Sequence, residues 1–551
     1  MTGTPNPKTA PPTAPPTPPE PQPETVPPRS AREIYTVMSG LVIAMLLAML
    51  DNMVVGTAMP TIVGELGGLT HLAWVVTAYT LATAVATPVW GKLGDLYGRK
   101  GVFMASIVVF LIGSALAGMA QSMGELIAFR GVQGLGGGGL MVGAMAIIGD
   151  LVPPRERGRY QGLMAGVMPL AMIGGPLLGG FFTDHLTWRW AFFVNLPLGA
   201  VALLVTALTM HLPKRRTSHR IDYLGVVLLT AGITTLILAA TWGGIEYPWG
   251  SATIIGLVVA SVVALVAFVL WELRATEPIL PMRLFRNANF SLVSALGFLV
   301  GFAMFGAVTF LPQFQQLVQG ASATNSGLLL LPLMAGMLVT TLVVGHLITR
   351  TGRYRVFPIL GGLFMAAGML LLGRLTVDTT MLTTSLYMIV LGVGMGFLMQ
   401  NTMLIAQNSV ELKDMGAASG TATLFRTIGG SLGVSLLGAI YSSRVTEGLT
   451  ARLGPRGEEL AAGGTQLTPA MLKQLPDTVR DAFMHAVTSG VSSVFLWGAG
   501  FAAIAFAVAW FVREVPLRGG DESAPNGAPA KAGKDGADRP SEGSNIEPVG
   551  V

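Results

Sequence analysis

Long apolar runs separated by short polar loops fill most of this chain. The runs begin near residues 36, 72, 101, 124, 160, 190, 222, 252, 290, 325, 356, 381, 415 and 486. A helix of roughly twenty such residues crosses about 30 Å of hydrocarbon, so the pattern predicts about fourteen membrane-spanning helices. A spanning β-barrel would instead show short segments of alternating polarity, which these continuous runs are not.

Two echoes divide the chain. Gly91-Lys-Leu-Gly-Asp95-Leu-Tyr-Gly98-Arg99-Lys100 after the second run returns as Gly345-His-Leu-Ile-Thr349-Arg-Thr-Gly352-Arg353-Tyr354 after the tenth, and Ile173-Gly-Gly-Pro-Leu returns as Ile428-Gly-Gly-Ser-Leu. Near-equal offsets point to duplication. The expected architecture is an all-α integral membrane protein. It has a Pro-rich tail (1–33), a six-helix half (34–212), two inserted helices with linkers (213–280), a second six-helix half (281–516) with an outer loop at 442–485, and a Gly-, Ala- and Ser-rich tail (517–551). Both tails read as disordered.

Composition agrees with a lipid environment: 52% of residues are hydrophobic and 11% charged, against the roughly 25% charge of soluble domains. Cysteine is absent and the six histidines are scattered, which removes disulfides, thiolate chemistry and an evident metal set. The net charge of +5 is no nucleic-acid signal, because the basic residues gather in the loops of one face, among them Lys92, Arg99, Lys100, Arg155, Arg157, Arg283 and Arg353. The short opposite loops hold only about two, Arg189 and Arg374. By the positive-inside rule the crowded face and both termini are cytoplasmic. The N-terminus lacks the order of a cleavable signal, and an Arg-, Ala- and Gly-rich chain fits a GC-rich bacterial genome. The expected location is a bacterial inner (plasma) membrane.

Charges within apolar runs are costly unless paired or facing water, and few occur. Asp51 in the first helix is the candidate proton carrier, since burial raises a carboxylate's proton affinity and a nearby arginine lowers it again. Arg130, with Gln133 one turn on, is its expected partner. Arg426 in the thirteenth helix has three readings: a counter-charge for Asp51, a site for an anionic or lipid group, or a structural residue. At the crowded face, Gly91 and Gly98 permit a tight turn and Asp95 can meet a helix N-terminus or the neighbouring Arg99 and Lys100, a latch that can break and re-form. Asp150, at the end of the fourth helix, reads as part of the same network. Gly134 to Gly139 spells G-x-G-x-x-G inside an apolar run with no preceding strand, which suits close helix packing better than a dinucleotide. Gly174, Gly175, Pro176 and Gly179 allow bending or close packing. Trp74, Tyr79, Phe305, Gln313, Gln316, Gln400 and Asn401 are candidate cavity residues, able to cradle a flat or cationic solute.

These segments resemble a known family. Gly91 to Lys100 is similar to motif A of the major facilitator superfamily, Leu126-Ile-Ala-Phe-Arg130-Gly-Val-Gln133-Gly134 to motif B, and Gly166 with Gly174-Gly175-Pro176-Leu-Leu-Gly179-Gly180 to motif C, its antiporter signature. Leu50-Asp51 to Pro60, Trp74-Val-Val-Thr-Ala-Tyr79 and Trp188-Arg-Trp to Asn195-Leu-Pro197 resemble the fourteen-helix drug:proton antiporter family. The likeness runs from about residue 36 to 512. It departs at Thr349, which stands where Asp95 does in the first half and implies a one-sided latch, and at Asn52 and Met53.

No G-x-x-x-x-G-K-[ST] sequence occurs, so ATP is not expected to power transport. One proton crossing 100 mV yields about 2.3 kcal/mol. The expected function is proton-coupled export of hydrophobic small molecules by alternating access, of the multidrug or antibiotic-efflux kind. Export of a lipid or endogenous metabolite, or a non-transporting membrane sensor, are the alternatives. An enzyme is not expected, for want of a nucleophile and base or a metal set. No cofactor is expected beyond the proton gradient, and the expected partners are a lipophilic solute, protons and membrane lipid, with neither nucleic acid nor ATP.

Overall fold

The computed structural model describes residues 31–66, 72–152, 160, 163–164, 166–210, 222–244, 246–321, 329–411, 414–455, 457 and 476–517. Residues 1–30 and 518–551 of the tails, most of the basic linker that follows the sixth helix, and the middle of the 442–485 segment lie outside the described residues, while Ala31 to Glu33, expected in the disordered tail, already belong to α1. The described chain is helical throughout its spans. In order come α1 (Ala31–Leu66), α2 (Leu72–Tyr97), α3 (Arg99–Met119), α4 (Met123–Leu151), α5 (Val167–His185) and α6 (Trp190–Thr209), the last broken at Val194. The inserted pair is α7 (Tyr223–Trp242) and α8 (Ala252–Glu272). After a short turn of 3-10 helix (Met282–Arg286) follow α9 (Ala288–Leu317), α10 (Leu331–Thr351), α11 (Val356–Leu372), α12 (Met381–Asn408), α13 (Met415–Leu453) and α14 (Asp477–Trp510). Among the described residues fourteen helices thus stand where fourteen apolar runs lie, and eleven of them are long and apolar enough to cross a membrane.

Side chains fix several of the helix starts. Ser122, Ser251 and Thr380 each accept a hydrogen bond from the N–H three residues on, Asp222 does so from Gly225 and Asn287 from Phe290. Each satisfies an orphan donor of a first turn. The 442–485 segment, whose mixed polarity allows an amphipathic helix, is helical at both ends, because a stripe of Tyr441, Val445 and Leu449 continues the buried face of α13 and packs towards Phe483 and Ala486 of α14.

The helix pairings repeat. α1 packs on α5 and α6, α2 on α4, α3 on α4 and α6; adding eight to each number gives the pairings of the second half. Between the halves the main packing is of α2, and to a lesser degree α4, against α13. The inserted pair covers that seam. Leu229, Ile233, Ile237 and Phe268 share a core with Ala84 and Val85 of α2 and Leu424 of α13. The far side of α8 exposes Val259, Val262, Val263, Val266 and Leu270, a surface that suits hydrocarbon rather than water.

Candidate functional site

The polar centre of the first half is built from three helices. Asp51 of α1, Arg130 and Gln133 of α4 and Asn195 of α6 are all 0% exposed. Arg130 Nη1 donates to Asp51 Oδ2, forming a buried ion pair, and to Gln133 Oε1 at 2.8 Å. Gln133 Nε2 and Asn195 Nδ2 each donate to Asp51 Oδ1 at 2.8 Å. The carboxylate therefore accepts from three side chains, a donor set matched to its ionised form. Arg130 is satisfied as fully, its Nη2 donating to Asn52 Oδ1 at 3.1 Å and its Nε to the Val75 carbonyl at 3.3 Å. Its guanidinium lies 4.2 Å from the centre of the Tyr79 ring, a stacked cation–π contact.

Sequence reasoning found Asp51, Arg130 and Gln133 but missed three supports. Asn195 also donates to Ser114 Oγ of α3 at 2.9 Å, and Ser114 donates to the Phe192 carbonyl beside the break in α6. Asn52 receives Arg130. A polar residue in an apolar run was the signal for Asn195 and Asn52; nothing in spacing marked Ser114. Arg426 does not join the cluster. It is half-buried in α13 and makes no hydrogen bond or ion pair among the described residues.

The small residues of α5 hold that helix against α1. A Cβ at Gly175 would collide with Met53 and one at Gly179 with Thr57, while Gly174 lies in ordinary contact with Leu50. The glycines of motif C thus bring α5 onto the turns just before and after Asp51. Nothing is described of the Pro176 side chain.

At one end of the bundle the latch residues meet as their chemistry suggests. Asp95 accepts from the N–H groups of Gly416 at 3.0 Å and Ala417 at 2.9 Å, in the first turn of α13. A carboxylate of the first half thereby sits on the positive end of a second-half helix. Arg99 pairs with Asp95 at 2.9 Å and with Asp150 at 3.0 Å, and donates to the Ala146 carbonyl. Gly91 and Gly416 touch backbone to backbone, so a methyl on either would push the halves apart. Gly98, at φ 93°, takes the left-handed turn that glycine permits. Lys100 is the exception, donating to the Ala207 carbonyl of α6 at 2.7 Å.

Sequence reasoning did not anticipate a second tie beside the latch. Lys92 of α2 pairs with Glu277 at 3.3 Å, and Arg283 pairs with Asp414 at 2.9 Å. The 273–286 linker between α8 and α9 is therefore fastened to both halves, and with the latch residues it lines a cavity of about 640 Å³. At the other end, Glu65 of α1 accepts from Trp188 at 2.8 Å and from Arg189 at 2.5 Å. The Arg189 guanidinium holds its carboxyl below the usual range.

The candidate cavity residues disperse. Tyr79 is buried under Arg130, and Asn401 is buried and turned onto its own helix at the Phe397 carbonyl. Trp74 packs edge-on against Trp242 of the insert, ring centres 5.4 Å apart. Phe305 is exposed, Gln313 and Gln316 are half-buried, and the Gln400 side chain lies outside the description. The tyrosine and asparagine misled because a polar tip in a helix reads the same whether it faces a cavity or a neighbouring helix.

A duplicated six-helix plan with a charge pair in one half and a latch at the seam narrows the choice of family, and direct comparison decides it. The profile of the Major Facilitator Superfamily matches residues 41–434. The chain belongs to this superfamily. Like its other members it is a transporter and not an enzyme. The multidrug transporter protein MdtP of Bacillus subtilis is 39% identical over 452 residues, covering 82% of this chain and 83% of MdtP. Multidrug resistance protein 3 of the same organism is 34% identical, covering 84% and 91%. Among solved structures, the human organic anion transporter MFSD10 superposes with a TM-score of 0.58 at 14% identity, over 86% of this chain and all of that one. The proton:xylose symporter XylE does so with 0.57 at 14%, over 88% and 97%. At such identity these two speak for the facilitator fold alone.

Proposed function

We propose that this facilitator is a proton-coupled exporter of hydrophobic small molecules, with Asp51 as the proton carrier. The observation that carries the reading is the Asp51–Arg130 pair, buried where three helices converge and saturated by Gln133 and Asn195. A proton reaching Asp51 cancels its charge, and Arg130 keeps Gln133, Asn52 and the Val75 carbonyl as partners. The site thus has two arrangements, selected by one proton. The latch face is the cytoplasmic one, so Asp95 on α13 closes the inner side, and release of that latch accompanies opening inwards. A proton moving down 100 mV supplies about 2.3 kcal/mol, enough for a substantial solute gradient. The names of the Bacillus relatives support lipophilic drugs as the cargo class, and the plasma membrane of a bacterium as the site.

The test is dye or drug uptake into everted vesicles under an imposed pH difference. Asp51→Asn is expected to abolish gradient-driven transport while the protein still inserts. Transport indifferent to the pH difference, or undiminished in Asp51→Asn, would overturn the reading. Export of a lipid or metabolite is the second reading, favoured by the paired extensions of α13 and α14, which at 39 and 34 residues exceed the roughly twenty that a bilayer needs. Assaying lipid release from the same vesicles separates the two.

A further inference from the structure

The inserted helices carry two carboxylates that the transport reading leaves unused. Asp222 caps α7 and Glu272 ends α8. Asp222 Oδ1 accepts from the Gly225 N–H at 2.9 Å and from the Trp271 indole N–H at 2.8 Å, and Glu272 Oε1 accepts from the Ile279 N–H at 3.2 Å. Their other oxygens, Asp222 Oδ2 and Glu272 Oε2, are buried without a hydrogen-bond partner among the described residues, and Glu272 as a whole is only 3% exposed. Gly225 lies between them. A methyl there would come within 2.5 Å of Asp222 Oδ2 and 2.9 Å of Glu272 Oε1.

Two ionised carboxylates facing each other across a glycine repel, and each leaves a desolvated lone pair unmet. One proton held by the pair removes one of the two charges. A metal ion suits the place poorly. A hard cation takes six or more oxygens, the remaining lone pairs here already accept N–H groups, and no group of three metal-ligating side chains occurs among the described residues. Among the described charged neighbours, Lys92 from α2 attracts Glu272 but is shared with Glu277, Arg283 is engaged by Asp414 and Asp95 by α13; Arg286 completes the cavity wall.

We propose that Asp222 and Glu272 share a single proton, forming a protonation site in the insert that is separate from Asp51 and governs how the 273–286 linker is held. Glu272 grips that linker through Ile279, and the linker ties to α2 through Glu277 and to α13 through Arg283. Losing the shared proton sets the two carboxylates against each other and loosens a strap that spans both halves. The site stands whichever solute the protein moves.

The full chain in lipid nanodiscs tests this by infrared difference spectra and tryptophan fluorescence between about pH 5 and about pH 9. Among the protonated-carboxyl bands that the wild type loses, one is expected to belong to this pair and to accompany a fluorescence step that Trp271→Phe removes. Asp222→Asn, which keeps a capping side chain, and Glu272→Gln should each abolish that same band, and the double variant should lose no more than either. Gly225→Ala, which keeps both acids, should shift the midpoint. Bands lost separately and additively, a band unchanged in either single variant, or a midpoint unmoved by Gly225→Ala would each overturn the proposal.

Discussion

In the first half a carboxylate and a guanidinium lie side by side where three helices meet, each with several partners; in the second, Arg426 stands in α13 with no hydrogen bond or ion pair among the described residues. The same contrast recurs at the repeated turn. Gly91 to Lys100 reaches across to the other half through Asp95, whereas Thr349 donates to Gly345 of its own helix and Tyr354 docks the chain leaving α14, accepting from the Val515 N–H at 2.8 Å. Burial raises the proton affinity of that phenol. Duplication preserved the packing plan, and the chemistry was kept in one copy. The second half is the surface on which the first half acts.

The sharpest way to break this comparison is to remove half of the buried pair. Arg130→Met leaves Asp51 charged among groups with no compensating cation, and the expected loss is about 3–5 kcal/mol, read as a large drop in thermal midpoint in detergent. A second substitution, Asp51→Asn, should recover part of it. Next in size is Asp95→Asn, which weakens two charge-assisted hydrogen bonds to α13, each worth about 1.5–3 kcal/mol. Cysteines introduced along the α2–α13 seam should label faster, while solute binding persists. Arg426→Gln should change the thermal midpoint little, since no partner among the described residues is orphaned. A loss as large as that of Arg130→Met would show that the halves are more alike than their contacts indicate. Smallest is Arg189→Gln, which removes an exposed pair worth about 1 kcal/mol or less. Because Glu65 titrates below its ordinary value, the pair's contribution is present above the unfolded carboxyl range and is lost as pH falls through the lower folded value. A proteolysis assay at the turn between α5 and α6 should show protection fading only below about pH 4.

Much of this was legible in the sequence because the signals were periodic or costly. Helix count, the two-half plan and the Asp51–Arg130–Gln133 set follow from apolar runs and from the rarity of charge within them. What escaped depends on direction rather than identity. Ser114 and Asn195 support Asp51 only because a break at Val194 turns α6, and no spacing rule reports that. Tyr79 and Asn401 looked like cavity residues because sequence gives the side chain but not the face it turns to. The Lys92–Glu277 and Arg283–Asp414 ties join residues 185 and 131 positions apart, beyond any local pattern.

One consequence of the insert concerns entry from the bilayer. With α7 and α8 laid over the groove where α2 meets α13, and with Trp74 against Trp242 plugging it, that side of the molecule is shuttered to anything diffusing in the plane of the lipid. A fat-soluble cargo approaching sideways must find a doorway elsewhere on the circumference, so two added helices give a pseudo-symmetric bundle a front and a back.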